Sequence, residues 1–398
     1  MKLAIIMPPI HPMPPIVGAG LERLIDIFIR ENERADNPLE LTVFSRIDSR
    51  SAELAKDFNF CEFVYLNTTR SEPKFNRFER LILGDRGGEP VRYDYLRELK
   101  NAFRGREFDE ILLANCFEFA KEVAKFTKKL PILYARGTFF GADCPSSAKN
   151  FRYIKRFIFP SEFLKNAALK AGIPAERASV VHDCVDLEMF DSSRFTAIRA
   201  EKRAKYGLSD DDILLVFVGR LVPDKGVIEL VKAVAQSGWN RSKLCLLLVG
   251  SAQLGEDVRD EYREMLEAAA PEGKIIFIGS VKPTSTARFL ARADIAVVPS
   301  ICDEPTGLSM LEPMAIGLPI IASDSGALGE YAEQLGEGCK FVKRGLGYVN
   351  SLAKAIDAAA AKILDEPGWR ERVAAESRKA AAAFTSAEYY ANFRGKLE

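Results

Sequence analysis

The sequence predicts an α/β protein of two domains, each built on a mainly parallel sheet with helices between its strands. Two observations carry this. Short apolar runs alternate with longer amphipathic segments almost throughout the 398 residues, which is the signature of strand–helix repeats. The alternation lapses near residue 186, and a second strand–helix series opens at Ile213. At roughly 100–200 residues per domain the length suits two domains.

The first apolar run, Lys2–Met7, is too short for a signal peptide and is stopped by Pro8 and Pro9, so it reads as a buried strand. Further strands are expected at Leu39–Phe44, Glu110–Ala114, Ile132–Tyr134, Arg156–Phe159 and Ser179–Val181, then at Ile213–Val218, Lys243–Val249, Lys274–Phe277, Ile295–Val298 and Pro319–Ala322. Helical periodicity covers Glu22–Arg34, Phe117–Lys128, Gly226–Ser237, Asp257–Ala270 and Ser309–Ile316. Arg194–Tyr206 is charged and lacks alternation, which places the domain boundary between about 187 and 210. The expected division is residues 1–190, 191–375 and a C-terminal helix within 376–398 that returns to the first domain; Ala374–Leu397 is helical in pattern and carries Phe384, Tyr389, Tyr390 and Phe393.

Composition excludes several classes. Lysine plus arginine and aspartate plus glutamate both number 56, so no global charge favours nucleic acid. No run approaches the ~18 apolar residues of a membrane span. The seven cysteines, at 61, 116, 144, 184, 245, 302 and 339, form no Cys-x-x-Cys pair. Free or buried thiols in a reducing, cytoplasmic compartment fit them better than disulfides or zinc. One stretch is locally basic: Lys74, Arg77, Arg80, Arg86, Arg92, Arg97, Lys100, Arg104 and Arg106 outnumber Glu79, Asp85, Glu89, Asp94 and Glu98. It reads either as a solvated face laced with ion pairs or as a contact with an anionic acceptor or the inner face of a membrane.

The chemistry concentrates after residue 216. Val216–Gly226 reads as a strand end, a loop and a helix start, with Gly219, Arg220 and Lys225 in the loop. Loops at the carboxyl ends of strands are where open α/β sheets bind ligands. The planar fork of Arg220 and the point charge of Lys225 can share a diphosphate, although two loop cations alone are equally consistent with surface charge. A second segment, VPSICDEPTGLSMLE at 298–312, decides between them. Glu304 falls in the loop before a helix and Glu312 roughly one turn inside it, while Gly307, Leu308 and Ser309 bring backbone amides to the helix N-terminus, which favours anions. One short segment thus supplies a phosphate cradle and two carboxylates able to accept from sugar hydroxyls.

These motifs make the chain resemble a retaining glycosyltransferase of the GT-B fold, family GT4. The resemblance rests on Gly219-Arg220…Lys225-Gly226 and on Glu304…Glu312 within Pro299-Ser300…Glu304-Pro305-x-Gly307-Leu308. It continues through Glu312-Pro313-Met314-Ala315-x-Gly317-x-Pro319-Ile320-Ile321-Ala322 to Ser325-Gly326-x-x-x-Glu330. Gly18-Ala19-Gly20-Leu21-Glu22-Arg23 is similar to the family's glycine-rich loop after the first strand, and Pro160-Ser161…Lys165 to a usual helix start.

The resemblance implies two facing Rossmann-like domains with an interdomain cleft, the first on the acceptor side and the second holding the donor. It implies a hexosyltransferase-type enzyme that moves a sugar from UDP or GDP to a glycan, glycolipid or polyprenyl-linked acceptor with retention of configuration. No cofactor is implied, the nucleotide-sugar being a co-substrate. Arg220 and Lys225 would hold the diphosphate and Glu304 the transferred sugar. The amides of Gly307, Leu308 and Ser309 would lie near sugar and phosphate, Glu312 would hold the ribose, and Gly18, Gly20 and Gly219 would let backbone approach the donor. With fixed cations at the leaving group and no Asp-x-Asp motif in a strand-end loop, transfer without metal is expected.

Two departures stand out. Where the family usually has a histidine, this chain has Leu133-Tyr134-Ala135-Arg136-Gly137-Thr138; Arg136 either takes that group's acceptor-side place or is structural. His182-Asp183-Cys184 replaces an Asn-Gly turn, and His182 reads as a turn or interdomain residue. A dinucleotide oxidoreductase is disfavoured because Arg23 stands where the Gly-x-Gly-x-x-Gly fingerprint needs Gly or Ala. An epimerase or phosphorylase, and a non-catalytic nucleotide-sugar-binding subunit, are the remaining alternatives.

Overall fold

The computed structural model describes residues 1–67, 93–137, 140, 150–195, 206–209, 211–253, 255, 257–333 and 335–398. The chain forms two compact units, Met1–His182 with Tyr389–Glu398, and Asp183–Glu388.

The first unit is a seven-stranded sheet. Its strands are β1 (Lys2–Ile6), β2 (Glu40–Arg46), β3 (Cys61–Leu66), β4 (Glu110–Ala114), β5 (Ile132–Tyr134), β6 (Arg156–Phe159) and β7 (Ala178–Val180). They lie in the order β3-β2-β1-β4-β5-β6-β7, and every pairing is parallel. Because a parallel sheet is covered on both faces, its inner strands read as continuous apolar runs, as Leu3–Ile6 and Ile111–Ala114 do; all are buried. Phe44, Tyr95, Phe103, Phe119, Phe157 and Phe159 fill the core on one side.

The second unit is a six-stranded sheet of β8 (Ile213–Val218), β9 (Leu244–Val249), β10 (Ile275–Gly279), β11 (Ile295–Val298), β12 (Ile320–Ser323) and β13 (Cys339–Val342). The order is β10-β9-β8-β11-β12-β13, again parallel throughout. Leu215, Leu230, Leu246, Val297 and Ile356 belong to its core. In both sheets the winding reverses beside the first strand, between β1 and β4 and between β8 and β11. Such switch points open a crevice at the carboxyl ends of the strands.

The chain passes into the second unit after His182, where the sequence places the change after 190. Two hydrogen bonds explain the earlier point: Asp183 N–H donates to the Tyr331 hydroxyl at 3.1 Å, and Val185 N–H to Phe384 O at 2.9 Å. The single helical pattern expected over Ala374–Leu397 is two helices, Trp369–Ala381 and Ser386–Leu397. In the first unit the second of these lies on the helix Gly20–Arg34. Phe393 packs 5.3 Å from Phe28 between ring centroids, the Tyr390 hydroxyl donates to Asn32 Oδ1 at 2.8 Å, and Arg394 donates to Asn37 O at 2.8 Å.

Residues 74–92 of the basic stretch and Cys144 lie outside the described residues. Of the basic residues that are described, Arg97 pairs with Asp94 at 3.1 Å and Arg106 with Glu62, which spends part of the local charge on ion pairs. No helix among the described residues is long and apolar enough to cross a membrane.

Candidate active site

The candidate site stands at the carboxyl ends of β8 and β11, on the second unit's switch point. After β8 the chain makes a short loop into the helix Val227–Gln236; after β11 a longer loop leads to the helix Leu308–Ile316. The two loops are stitched together. Asp224 O accepts from Ile301 N–H at 3.0 Å and from Cys302 N–H at 3.2 Å. Gly226 has φ of +66°, and a Cβ there would strike the Pro299 carbonyl, so the close crossing of the loops requires glycine. The Tyr348 hydroxyl donates to that carbonyl at 3.1 Å. Burial pushes the Tyr348 hydroxyl up to about 12, so it remains a donor at neutral pH.

This crossing brings Lys225 onto Glu304. The ammonium donates to both carboxylate oxygens, at 2.6 and 2.8 Å, and the Ser300 hydroxyl donates to Oε1 as well. Glu304 is held by its backbone too: its N–H donates to Ser325 Oγ at 3.0 Å, and its carbonyl accepts from Ala327 N–H at 2.8 Å. The Ser325 hydroxyl donates to Cys302 O at 2.6 Å. Arg344 braces the outer side of the loop through Asp324 O, Ile301 O and Asp303 Oδ1 at 2.7, 2.8 and 2.6 Å. Carboxylate and loop are therefore fixed by Lys225, Ser325, Ala327 and Arg344 from other segments rather than by the helix alone, and a fixed charge needs no reorganisation when a ligand arrives.

Arg220 differs from Lys225. It is exposed and, among the described residues, its side chain makes no hydrogen bond or ion pair. The backbone beside it is anchored, since Gly219 N–H donates to Val249 O at 3.0 Å and Leu221 N–H to Ser251 O at 3.1 Å. Its guanidinium stays available to an anion.

Gly307 precedes the helix Leu308–Ile316, and no side chain caps that terminus, so the first-turn amides of Leu308 and Ser309 keep their donor capacity. The Tyr331 ring packs where a Gly307 Cβ would stand. Glu312, on the same helix, is 7% exposed. Of the first-unit residues named in the sequence, Gly18 and Gly20 lead into the helix Gly20–Arg34 after β1, beside the switch point, and Arg136 follows β5, the strand beyond β4. Ser300, Ser325 and Arg344 were not singled out by sequence reasoning. Ser300 and Ser325 lie within the quoted motifs, where a hydroxyl four positions before Glu304 and another beside Gly326 are the local signal; nothing local marks Arg344.

Residues 198–380 match the family model of the glycosyl transferases group 1. An uncharacterised glycosyltransferase of Methanocaldococcus jannaschii is 27% identical over 206 residues, 52% of this chain and 50% of that relative, so the match spans half of the relative's length. The lipopolysaccharide 1,2-N-acetylglucosaminetransferase of Salmonella typhimurium is 23% identical over 337 residues, 83% of this chain and 82% of the relative. The crystal structure of Anabaena HepE in complex with UDP-glucose superposes with a TM-score of 0.75 at 15% identity, covering 99% of each chain. The fold is that of the GT-B glycosyltransferases. Domain and relatives together support a glycosyl-transferring enzyme.

Proposed function

We propose that the chain transfers a hexosyl group from a UDP- or GDP-sugar to a hydroxyl of a glycan, glycolipid or polyprenyl-linked acceptor, with retention of configuration and without a metal. The observation that carries this is the Lys225–Glu304 pair beside the uncapped helix at Gly307, on the switch point of a unit that matches the group 1 model.

The reaction breaks the bond between the anomeric carbon and the diphosphate, and negative charge gathers on the departing oxygen. Arg220 supplies a guanidinium fork to the diphosphate. Lys225 spends two N–H groups on Glu304 and has a third to give a phosphate oxygen. The amides of Gly307, Leu308 and Ser309 add the helix-terminus field. These fixed donors supply the stabilisation that a divalent cation would otherwise give. Glu304 accepts from hydroxyls of the transferred sugar, and Glu312 from those of the ribose. Gly18 and Gly20 admit the donor's phosphates from the first unit, and Arg136 serves the acceptor. Retention rests on the family resemblance. Contact with an anionic membrane through residues 74–106 on the cytoplasmic face completes the reading; flotation with acidic liposomes at low salt supports it, and its absence removes that part.

The test of the whole is a thermal-shift screen with UDP and GDP in EDTA. At a hundredfold excess over the dissociation constant, binding adds about 2.7 kcal/mol of stability. No shift with either nucleotide rejects the donor site. The lack of a histidine near Arg136 favours a second reading, a subunit that binds the donor without turning it over. Slow release of UDP from a bound UDP-sugar separates an enzyme from such a binder.

A further inference from the structure

The loop between β11 and the helix Leu308–Ile316 is pressed at two points by one short segment that follows β12. Near its start, Ser325 and Ala327 bond the backbone of Glu304, and a Cβ at Gly326 would strike the Glu304 carbonyl. Further on, in the short helix Leu328–Ala332, Tyr331 meets Gly307. A Cβ at Gly307 would stand inside the Tyr331 ring. Gly307 has φ of −109°, which is open to residues with a side chain, so the ring and not the backbone conformation demands glycine there. Tyr331 is 1% exposed, and a ring packed on every side cannot yield without moving its neighbours. It therefore sets where the Gly307 backbone lies, and with it the aim of the amides of Gly307, Leu308 and Ser309.

The same side chain reaches both segments that join the second unit to the rest of the chain. Its hydroxyl accepts from the N–H of Asp183, 148 positions away and the first residue of the unit, at 3.1 Å. Asp183 belongs to the His182-Asp183-Cys184 turn that stands in place of the family's Asn-Gly. The Tyr331 ring lies 5.2 Å from that of Phe384, shortly before the unit ends at Glu388, and the Phe384 carbonyl accepts from Val185 N–H at 2.9 Å. A buried tyrosine hydroxyl needs a partner. Here the partner is the entering chain, while the opposite face of the residue's work is done by the ring on Gly307. A phenylalanine would fill the space against Gly307 but leave the Asp183 amide without this acceptor.

We propose that Tyr331 is a positioning residue for the donor. Its ring holds the amides of Gly307, Leu308 and Ser309 on the diphosphate, and its hydroxyl carries the occupancy of that site to Asp183, where the chain enters the unit. A diphosphate drawn onto those amides stiffens Gly307, the ring packed on it, and the hydroxyl to which Asp183 donates. This rests on the donor-site reading given above.

The probe is whichever of UDP and GDP raises the melting temperature of the wild-type chain in EDTA. Tyr331→Phe keeps the ring and should keep the wild-type dissociation constant. Tyr331→Leu removes the ring and should weaken binding about tenfold or more, the usual worth of a hydrogen bond to a charged group. In hydrogen exchange the nucleotide should slow residues 183–185 in the wild-type chain and not in Tyr331→Phe, although both bind it. One readout needs no nucleotide: Gly307→Ala should lower the urea midpoint of the wild-type chain and lower it less in the Tyr331→Leu background, because the clash is with the ring. Wild-type affinity in a folded Tyr331→Leu chain, equal protection of 183–185 in the wild-type and Tyr331→Phe chains, or an equal effect of Gly307→Ala in both backgrounds overturns the proposal. Should Tyr331→Leu fail to fold, the exchange experiment on Tyr331→Phe decides. A wild-type chain that binds neither nucleotide sinks the donor site and this role with it, whereas the other outcomes sink this role alone.

Discussion

The Lys225 ammonium lies 2.6 and 2.8 Å from the two carboxylate oxygens of Glu304, whose side chain is 6% exposed against 25% for the lysine. Removing the lysine strands a buried carboxylate, and breaking such a pair from one side commonly costs about 3–5 kcal/mol. The partial exposure of Lys225 and the remaining Ser300 hydroxyl place Lys225→Ala at the lower end. The loss should therefore appear in urea unfolding as well as in turnover. The double variant Lys225→Met with Glu304→Gln should recover most of the stability and none of the activity. Full stability in the single variant would mean that the pair is not buried in solution.

Arg220 offers the contrast. Exposed and unpaired among the described residues, it contributes nothing evident to folding. Arg220→Ala should keep the wild-type unfolding midpoint yet lower kcat about 10²–10³-fold, the usual cost of one donor to a charged leaving group. Wild-type turnover would remove Arg220 from the leaving-group site.

The contrast between these two cations shows how far the sequence reaches. Spacing named Arg220, Lys225, Glu304 and Glu312, because strand ends and helix starts recur at readable intervals. That Lys225 is clamped to a carboxylate 79 positions away was not legible, since tertiary crossing at Gly226 creates it. The inner strands were legible as apolar runs such as Ile213–Val218. Cys61–Leu66 and Cys339–Val342 were not, because both are edge strands whose exposed or half-exposed residues break the apolar run; Lys340 and Phe341 face water. The alanines of 380–383 hide the break before Ser386, which packing decides: the Phe384 ring sits 5.2 Å from Tyr331 and its carbonyl accepts from Val185. Glu22 passed as part of a glycine-rich loop because its burial is likewise tertiary.

Glu22 makes a pH prediction whose sign is opposite to that of a salt-bridged carboxylate. Its folded value is about 7 against an ordinary 4.5. Below 4.5 both states hold the proton and the group is neutral to stability. Between 4.5 and 7 the unfolded chain releases the proton while the folded chain keeps it, so stability falls as pH rises; above 7 the deficit is complete. Glu22→Gln removes this deficit. The variant should match wild type near pH 4 and exceed it near pH 8 by on the order of 2–3 kcal/mol. Equal stability of the two proteins at pH 8 would mean that Glu22 ionises as an ordinary, solvated carboxyl.

Glu304 and Glu312 should fail differently when changed to glutamine. Glu312 is assigned to the ribose, which keeps its shape and charge as the glycosidic bond breaks. A contact made equally in ground and transition states affects binding, so Glu312→Gln should mainly raise the KM for the donor. Glu304 is assigned to the transferred sugar, whose ring flattens and gains positive charge. Its replacement should act on kcat instead. The Lys225 contact sharpens the difference: a glutamine at 304 no longer neutralises the ammonium, which is then freer to draw the diphosphate. Donor binding in Glu304→Gln should therefore hold or tighten while kcat falls. Steady-state kinetics with the donor varied at saturating acceptor separates the two. A Glu304→Gln variant with only a raised KM, beside a Glu312→Gln variant with no kcat, would exchange the two roles.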